Sequence, residues 1–248
     1  MAWTIDFSGK NAVVTGGSRG IGLAISRLLA ECGARVIIVY RSDEEAANAA
    51  LATLAGDGHW AVKADLSNAI EAQEIAAECS RLADGGIDFV VLNAAGGGGG
   101  LISEASDEEW RRSYDVNIHG NVAVLRGVSA SMNSGGAVVF IGSGAGHDPF
   151  VGMGAYGSSK AAVIHLASIL AQEWGPRGIR VNVVSPGSTS KAEIDYEHLS
   201  DGQKEIVQTT ALRRIGTTQD VAKAVLFFLS DLSGFVTGQV IRCNGGRV

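Results

Sequence analysis

The feature that most constrains this chain is a rhythm. Short continuous apolar runs alternate with segments of helical spacing along its whole length. The strong runs are Ala12-Val13-Val14-Thr15, Val36-Ile37-Ile38-Val39-Tyr40, Phe89-Val90-Val91-Leu92, Ala137-Val138-Val139-Phe140-Ile141, Val181-Asn182-Val183-Val184 and Gln239-Val240-Ile241; residues 59–64 form a weaker one. Because the runs are continuous rather than alternating, each strand must be covered on both faces. Helical periodicity fills the gaps at 21–32, 69–82, 155–174 and 219–229. Ser42-Asp43-Glu44-Glu45 and Ser106-Asp107-Glu108-Glu109 read as capping boxes, each opening a further helix. Strand and helix repeated in this way predict an α/β protein with a parallel, doubly wound sheet and right-handed crossovers.

Composition narrows the class. The chain has 248 residues and no linker divides it, so 1–248 is expected to form one domain. Glycine is abundant at 34 residues beside only 3 prolines, which points to tight turns inside a folded domain. A formal net charge of -6 lacks the basic excess of a nucleic-acid binder. Cys32, Cys79 and Cys243 are far apart, so neither a zinc site nor a disulfide framework is expected, and a reducing compartment is. No His, Cys or acid cluster has metal-ligand spacing. Residues 1–10 carry no secretory pattern, and no apolar run approaches the roughly 20 residues of a membrane span. The expectation is a cytoplasmic protein with neither nucleic-acid nor membrane partners. Segment 188–214 is polar, breaks the rhythm without an obvious strand, and reads as a mobile loop or lid over a substrate.

Chemistry is written where the runs end. Thr15-Gly16-Gly17-Ser18-Arg19-Gly20-Ile21-Gly22 joins the first strand to the first helix. Glycines 16, 20 and 22 let the backbone turn sharply and approach a pyrophosphate at the helix N-terminus, where free N–H groups and the dipole favour negative charge. Gly16, Ser18, Arg19, Gly20, Ile21 and Gly22 are therefore candidate cofactor ligands. The second strand ends in Tyr40-Arg41-Ser42, with no carboxylate to accept ribose hydroxyls. Arg41 and Arg19 can instead clamp a 2′-phosphate, which predicts NADP(H) over NAD(H). Tyr156 and Lys160 stand four apart in a helical segment and share one face. A lysine ammonium beside the phenol favours the phenolate, so Tyr156 can trade a proton with a substrate oxygen. Ser143 can hydrogen-bond the same oxygen.

These motifs, spaced G-x-x-x-G-x-G at the first turn, resemble the short-chain dehydrogenase/reductase family. Asn93-Ala94-Ala95-Gly96 stands where that family has N-N-A-G after the fourth strand, and Asn117 follows in the next helix. Ser143 ends the fifth strand, Tyr156-Gly157-Ser158-Ser159-Lys160 matches Y-x-x-x-K, and Pro186-Gly187 follows the sixth strand. The resemblance covers essentially the whole chain. It implies a single-domain Rossmann fold with a seven-stranded sheet in the order 3-2-1-4-5-6-7. It implies Ser143, Tyr156, Lys160 and Asn117 as the catalytic set, Asn117 holding a water in a proton relay with Lys160. It places Asp65 and Leu66 at the adenine, and Asn93, Ala94, Ala95, Gly96, Tyr156, Lys160, Pro186, Gly187 and Thr189 around the rest of the cofactor. It further implies a homotetramer, paired through long helices at one interface and the C-terminal strand region at another.

The chain departs from the family pattern at Ala94, in the five glycines at 96–100, and at Lys191, where a threonine is usual. The expected activity is NADPH-dependent reduction of a ketone or aldehyde, or the reverse oxidation. The rivals are a 3-oxoacyl-carrier-protein reductase and a non-catalytic NADP-binding regulatory protein. Stretch 128–136 contains no basic residue, and the chain is acidic overall, which disfavours docking an acidic carrier protein. A free small-molecule carbonyl, such as a secondary-metabolite ketone, is therefore expected.

Overall fold

The computed structural model describes residues 4–247. Residues 1–3, part of the stretch read for a secretory pattern, lie outside the described residues. Six apolar runs become strands β1 (Asn11–Thr15), β2 (Arg35–Tyr40), β3 (Trp60–Lys63), β4 (Ile87–Leu92), β5 (Met132–Ile141) and β6 (Arg180–Pro186). Two short strands, β7 (Thr189–Ser190) and β8 (Gly216–Thr217), pair only with each other. The seventh strand of the main sheet is therefore ninth in the chain, β9 (Val240–Cys243). The sheet runs β3-β2-β1-β4-β5-β6-β9 with every pairing parallel, the expected order.

Each strand sends alternate residues to opposite faces, and both faces are covered. Val13, Ile37, Val90, Val138 and Phe140 pack under α3 (Ala69–Leu82), α5 (Asn121–Val128) and α6 (Gly154–Trp174). Val14, Val36, Ile38, Val91 and Val139 pack under α1 (Gly20–Glu31), α2 (Glu44–Leu51) and α8 (Thr218–Leu229). Continuous apolar runs are the sequence signature of that double burial.

Local details refine the sequence reading. The box at Ser106 forms as expected, with Ser106 and Glu109 capping each other at the start of α4 (Asp107–Tyr114). The box at Ser42 does not form. Asp43 is the N-cap of α2, its carboxylate accepting from the Ala46 N–H at 2.9 Å. A carboxylate caps through a charge-assisted bond, and with Asp43 in that role Glu45 falls one position short of reaching back. Between α4 and α5 the chain widens into a π-helical turn, Asp115–Gly120, so Asn117 does not sit in a regular helix. Segment 188–214 holds more regular structure than its polar pattern predicts: β7, a 3₁₀ turn (Tyr196–His198) and α7 (Asp201–Thr209). Two-residue pairing of Thr189 and Ser190 with Gly216 and Thr217 leaves no apolar run to read.

Phe140 is fully buried next to the C-terminal end of β5. Phe140→Ala is expected to lower stability by about 3–5 kcal/mol, read as a fall in the urea midpoint at unchanged slope.

Candidate active site

All strands of the sheet point the same way, so the turns that follow them gather along one edge. The first turn is locked by close backbone approach. A Cβ on Gly22 would lie 2.1 Å from the Gly16 carbonyl oxygen, so α1 can press onto the turn only as glycine. The Asn93 amide bolts that turn to β4, donating to the Thr15 carbonyl at 2.9 Å and the Gly16 carbonyl at 3.1 Å. The Thr15 hydroxyl accepts from the backbone N–H groups of Asn93 and Ala94, both at 3.0 Å. At Arg19 α1 opens with no described side chain capping it and no acid in its first turn. An open, positively polarised helix end beside a turn of this closeness fits the diphosphate of a dinucleotide.

The neighbouring turns bring the other cofactor candidates to the same edge. Tyr40 ends β2, with Arg41 and Ser42 exposed beyond it. Among the described residues neither Arg19 nor Arg41 is in an ion pair. After β3, one oxygen of Asp65 accepts from the Ser67 backbone and hydroxyl at 2.9 and 2.7 Å. Burial pushes the Asp65 carboxyl up, but the Ser67 bonds, with Arg41 and Arg112 nearby, outweigh it and hold the group below its ordinary value. Leu66 is buried, its carbonyl close under Gly120. Ala95 and Gly96 continue the β4 turn, and Pro186 and Gly187 that of β6, where the Gly187 N–H donates to the Cys243 carbonyl at 3.0 Å. The Thr189 hydroxyl donates back to the Gly187 carbonyl at 3.0 Å.

Ser143, Tyr156 and Lys160 meet at the centre of this edge. Ser143 lies two residues past β5 rather than at its end, and its hydroxyl accepts from the Ala145 N–H at 3.2 Å. Burial pushes the Tyr156 phenol up, while a hydrogen bond with the Ser143 side chain works the other way. Lys160 is 1% exposed, lies 5.7 Å from the Tyr156 ring centre, and donates from Nζ to the Ile141 carbonyl at 2.7 Å. Burial lowers its ammonium to about 8.

Asn117 is a bolt. Its amide accepts from the Gly96 N–H and donates to the Gly96 carbonyl, both at 2.9 Å, and donates to the Ser159 hydroxyl at 2.8 Å. The Ser159 hydroxyl in turn donates to the Tyr156 carbonyl at 2.7 Å. Both amide protons are spent, and the Asn117 carbonyl already accepts from Asn121 at 2.7 Å.

Three supporting residues were missed in the sequence. Ser159 lies inside the Y-x-x-x-K stretch, and Asn121 stands one helical turn past Asn117, so spacing alone pointed to both. Gly97 has φ +150°, and a Cβ there would lie 3.0 Å from the Tyr156 ring. The glycine run hid which glycine mattered.

A family model described as enoyl-(acyl carrier protein) reductase matches residues 16–247. The chain belongs to the short-chain dehydrogenase/reductase family. It is similar to galactitol 2-dehydrogenase of Rhizobium johnstonii, 36% identical over 252 residues, covering 96% of this chain and 95% of that one. It is also similar to the 3-oxoacyl-[acyl-carrier-protein] reductase of Rickettsia conorii, 34% identical over 247 residues, covering 98% and 99%. Among solved structures, a short-chain dehydrogenase of Burkholderia cenocepacia in complex with NADP superposes with TM-score 0.89 at 30% identity, covering 97% and 98%. This short-chain dehydrogenase/reductase is thus an oxidoreductase of alcohol and carbonyl groups. No helix among its described residues is long and apolar enough to cross a membrane.

The buried lysine gives this oxidoreductase a pH signature. Below about 8 folded and unfolded chains both hold the Lys160 proton, and the buried charge costs stability in full. Between there and the ordinary lysine value the unfolded chain binds more protons, so stability rises with pH. Lys160→Met is expected to stabilise the cofactor-free protein most at pH 7. By pH 10 that advantage should shrink by about 2 kcal/mol, at roughly 1.4 kcal/mol per pH unit, in urea unfolding. A constant difference would contradict the buried ammonium.

Proposed function

We propose that this enzyme is an NADPH-dependent carbonyl reductase, or the corresponding alcohol dehydrogenase, acting on a free small-molecule ketone or aldehyde. The observation that carries the reading is the meeting of Ser143, Tyr156 and Lys160 beside an open, uncapped helix end. The nicotinamide cofactor, when bound, supplies or accepts the hydride at the substrate carbon. The chain supplies the rest. Tyr156 stays protonated at neutral pH in its buried site, which is the form a reduction needs. It gives its proton to the substrate oxygen as charge develops there, and Ser143 donates a second hydrogen bond to that oxygen. Lys160 stabilises the phenolate left behind, and the proton that returns to the Tyr156 oxygen would come from solvent through the relay water that Asn117 holds beside Lys160. Asn117 holds the Gly96 loop and α6 in register, and its main-chain carbonyl, which already accepts from Asn121, would use its second lone pair to hold a relay water.

Gly16, Ser18, Arg19, Gly20, Ile21 and Gly22 would hold the diphosphate, and Asp65 and Leu66 the adenine. Tyr40, Arg41 and Ser42 would hold the adenosine ribose with its 2′-phosphate. Asn93, Ala94, Ala95, Gly96, Pro186, Gly187 and Thr189 would border the nicotinamide half, with Tyr156 and Lys160 at its ribose. The missing carboxylate at the β2 tip supports NADPH over NADH. We read 1–248 as one domain in a homotetramer of the cytoplasm, with 188–214 as the lid.

A carrier-bound substrate is the second reading, favoured by the similarity to a 3-oxoacyl-carrier-protein reductase. Charge argues against it. Arg214 is gripped in a fork by Asp220 at 2.6 and 3.0 Å, and Arg111 faces Asp107 at 3.9 Å. Basic groups that would have to replace the missing patch at 128–136 are thus partly neutralised.

Two measurements test the proposal. Tyr156→Phe is expected to bind NADPH as the wild type does and to lose turnover by about a hundred- to ten-thousand-fold. Turnover close to that of the wild type would remove Tyr156 from the mechanism. For substrate, a small thioester mimic is expected to match its carrier-protein counterpart in kcat/KM at every salt concentration. A carrier preference that fades with salt would establish electrostatic docking instead.

A further inference from the structure

One departure from the family pattern is left without a task by the reading above: Lys191. Its backbone is anchored. β7 pairs in parallel with β8, Thr189 beside Gly216 and Ser190 beside Thr217. The Thr218 hydroxyl then donates to the Lys191 carbonyl at 3.4 Å. The side chain is exposed. It helps to line a groove of about 680 Å³ that is also lined by Ser18, Arg19 and Gly20, the turn that opens α1.

The electrostatics of that groove are one-sided. Lys191 and Arg19 are in no ion pair among the described residues. The start of α1 adds the positive end of a helix dipole, with no acid in its first turn. The one carboxylate lining the groove is Glu31, at the opposite end of α1 and roughly 16 Å away at 1.5 Å per residue. Of the three cations lining the groove, Arg27 stands two turns along α1 and about one turn from Glu31, while Arg19 and Lys191 share the space at the helix start with no carboxylate of the groove beside them.

We propose that Lys191 is a cofactor-binding residue whose ammonium closes over the diphosphate from the side facing α1. The proposal rests on the dinucleotide reading of the turn. The β7–β8 pairing fixes where the lysine starts, and its flexible stem lets it follow the ligand. The same pairing couples the base of segment 188–214 to the bound nucleotide. Both NADPH and NADH carry a diphosphate, so Lys191 must act on the two alike. Arg41, in contrast, meets a partner only in the 2′-phosphate.

The experiment is equilibrium binding followed by nucleotide fluorescence, with no substrate present. Lys191→Thr, Lys191→Arg and Arg41→Ala are compared with the wild type for NADPH and NADH. Adenosine 2′-monophosphate, which has no diphosphate, serves as a competing probe. Lys191→Thr is expected to weaken both dinucleotides by the same factor, about tenfold, as loss of one charge-assisted hydrogen bond implies. It should leave the monophosphate unchanged, and Lys191→Arg should retain most of the affinity. Arg41→Ala should weaken NADPH and the monophosphate while sparing NADH. A Lys191→Thr loss confined to NADPH would move Lys191 to the 2′-phosphate and overturn the proposal. Unchanged affinity for both dinucleotides, with the wild type binding normally, would leave Lys191 a solvent cation and overturn it too. Failure of the wild type to bind either dinucleotide would overturn the cofactor reading and this inference with it.

Discussion

Every part of this structure depends on a parallel sheet buried on both faces. Such a sheet has no polar face to offer a ligand, and its interior positions are committed to packing. Chemistry is left to the edge where the strands end. There the backbone must turn toward the covering helices, and each turn exposes N–H and C=O groups that need partners. The Asn93 amide, donating to the Thr15 and Gly16 carbonyls, satisfies the carbonyl side of that requirement within the protein. The N–H side, at the start of α1, is left open. The asymmetry makes the edge an anion receptor before any side-chain charge is considered.

The second demand on the scaffold is Lys160. An ammonium at 1% exposure with a single described acceptor, the Ile141 carbonyl, is an expensive thing to hold in a core. Nothing in packing calls for it, since a methionine would fill the space. The structure tolerates it because α6 is pinned from outside. Asn117 ties α6 to the Gly96 loop through Ser159, and Gly97 lies against the Tyr156 ring with no side chain to push it away. The pins hold Tyr156 and Lys160 on one helical turn, while the cost of burial keeps the lysine proton readily released. Stability is given up at the point where a proton must move.

How much of this was legible in the sequence follows from which forces are local. Continuous apolar runs and helical periodicity report burial directly, and they yielded the strands and the parallel, doubly wound sheet, while the strand order came from the family resemblance. Capping at Ser106 was readable because both partners of the box are within four residues. Ser42 misled because Asp43, equally able to cap, stood beside it. The π turn around Asn117 was not readable, since a widened turn depends on the Gly96 loop packed against it, far away in sequence. β7 and β8 were invisible for a related reason: two-residue strands carry no periodicity. Ser143, Tyr156 and Lys160 were legible through spacing and resemblance, but the exclusive engagement of the Asn117 amide needed coordinates.

Charge supplies the last link between fold and function. At -6 the chain as a whole repels an anionic dinucleotide, so long-range attraction does not bring the cofactor in. At ordinary ionic strength that repulsion fades beyond about 10 Å, and what acts at contact is the local arrangement. Along the edge, Arg19, Arg41 and Lys191 are in no ion pair among the described residues, while Arg214, Arg111 and Arg81 are each matched with an acid. The paired ones brace helices and the segment that follows β6. Around the first turn Arg19, Arg41 and Lys191 carry no such partner among the described residues, and the phosphates of a bound dinucleotide would neutralise charge there in one binding event.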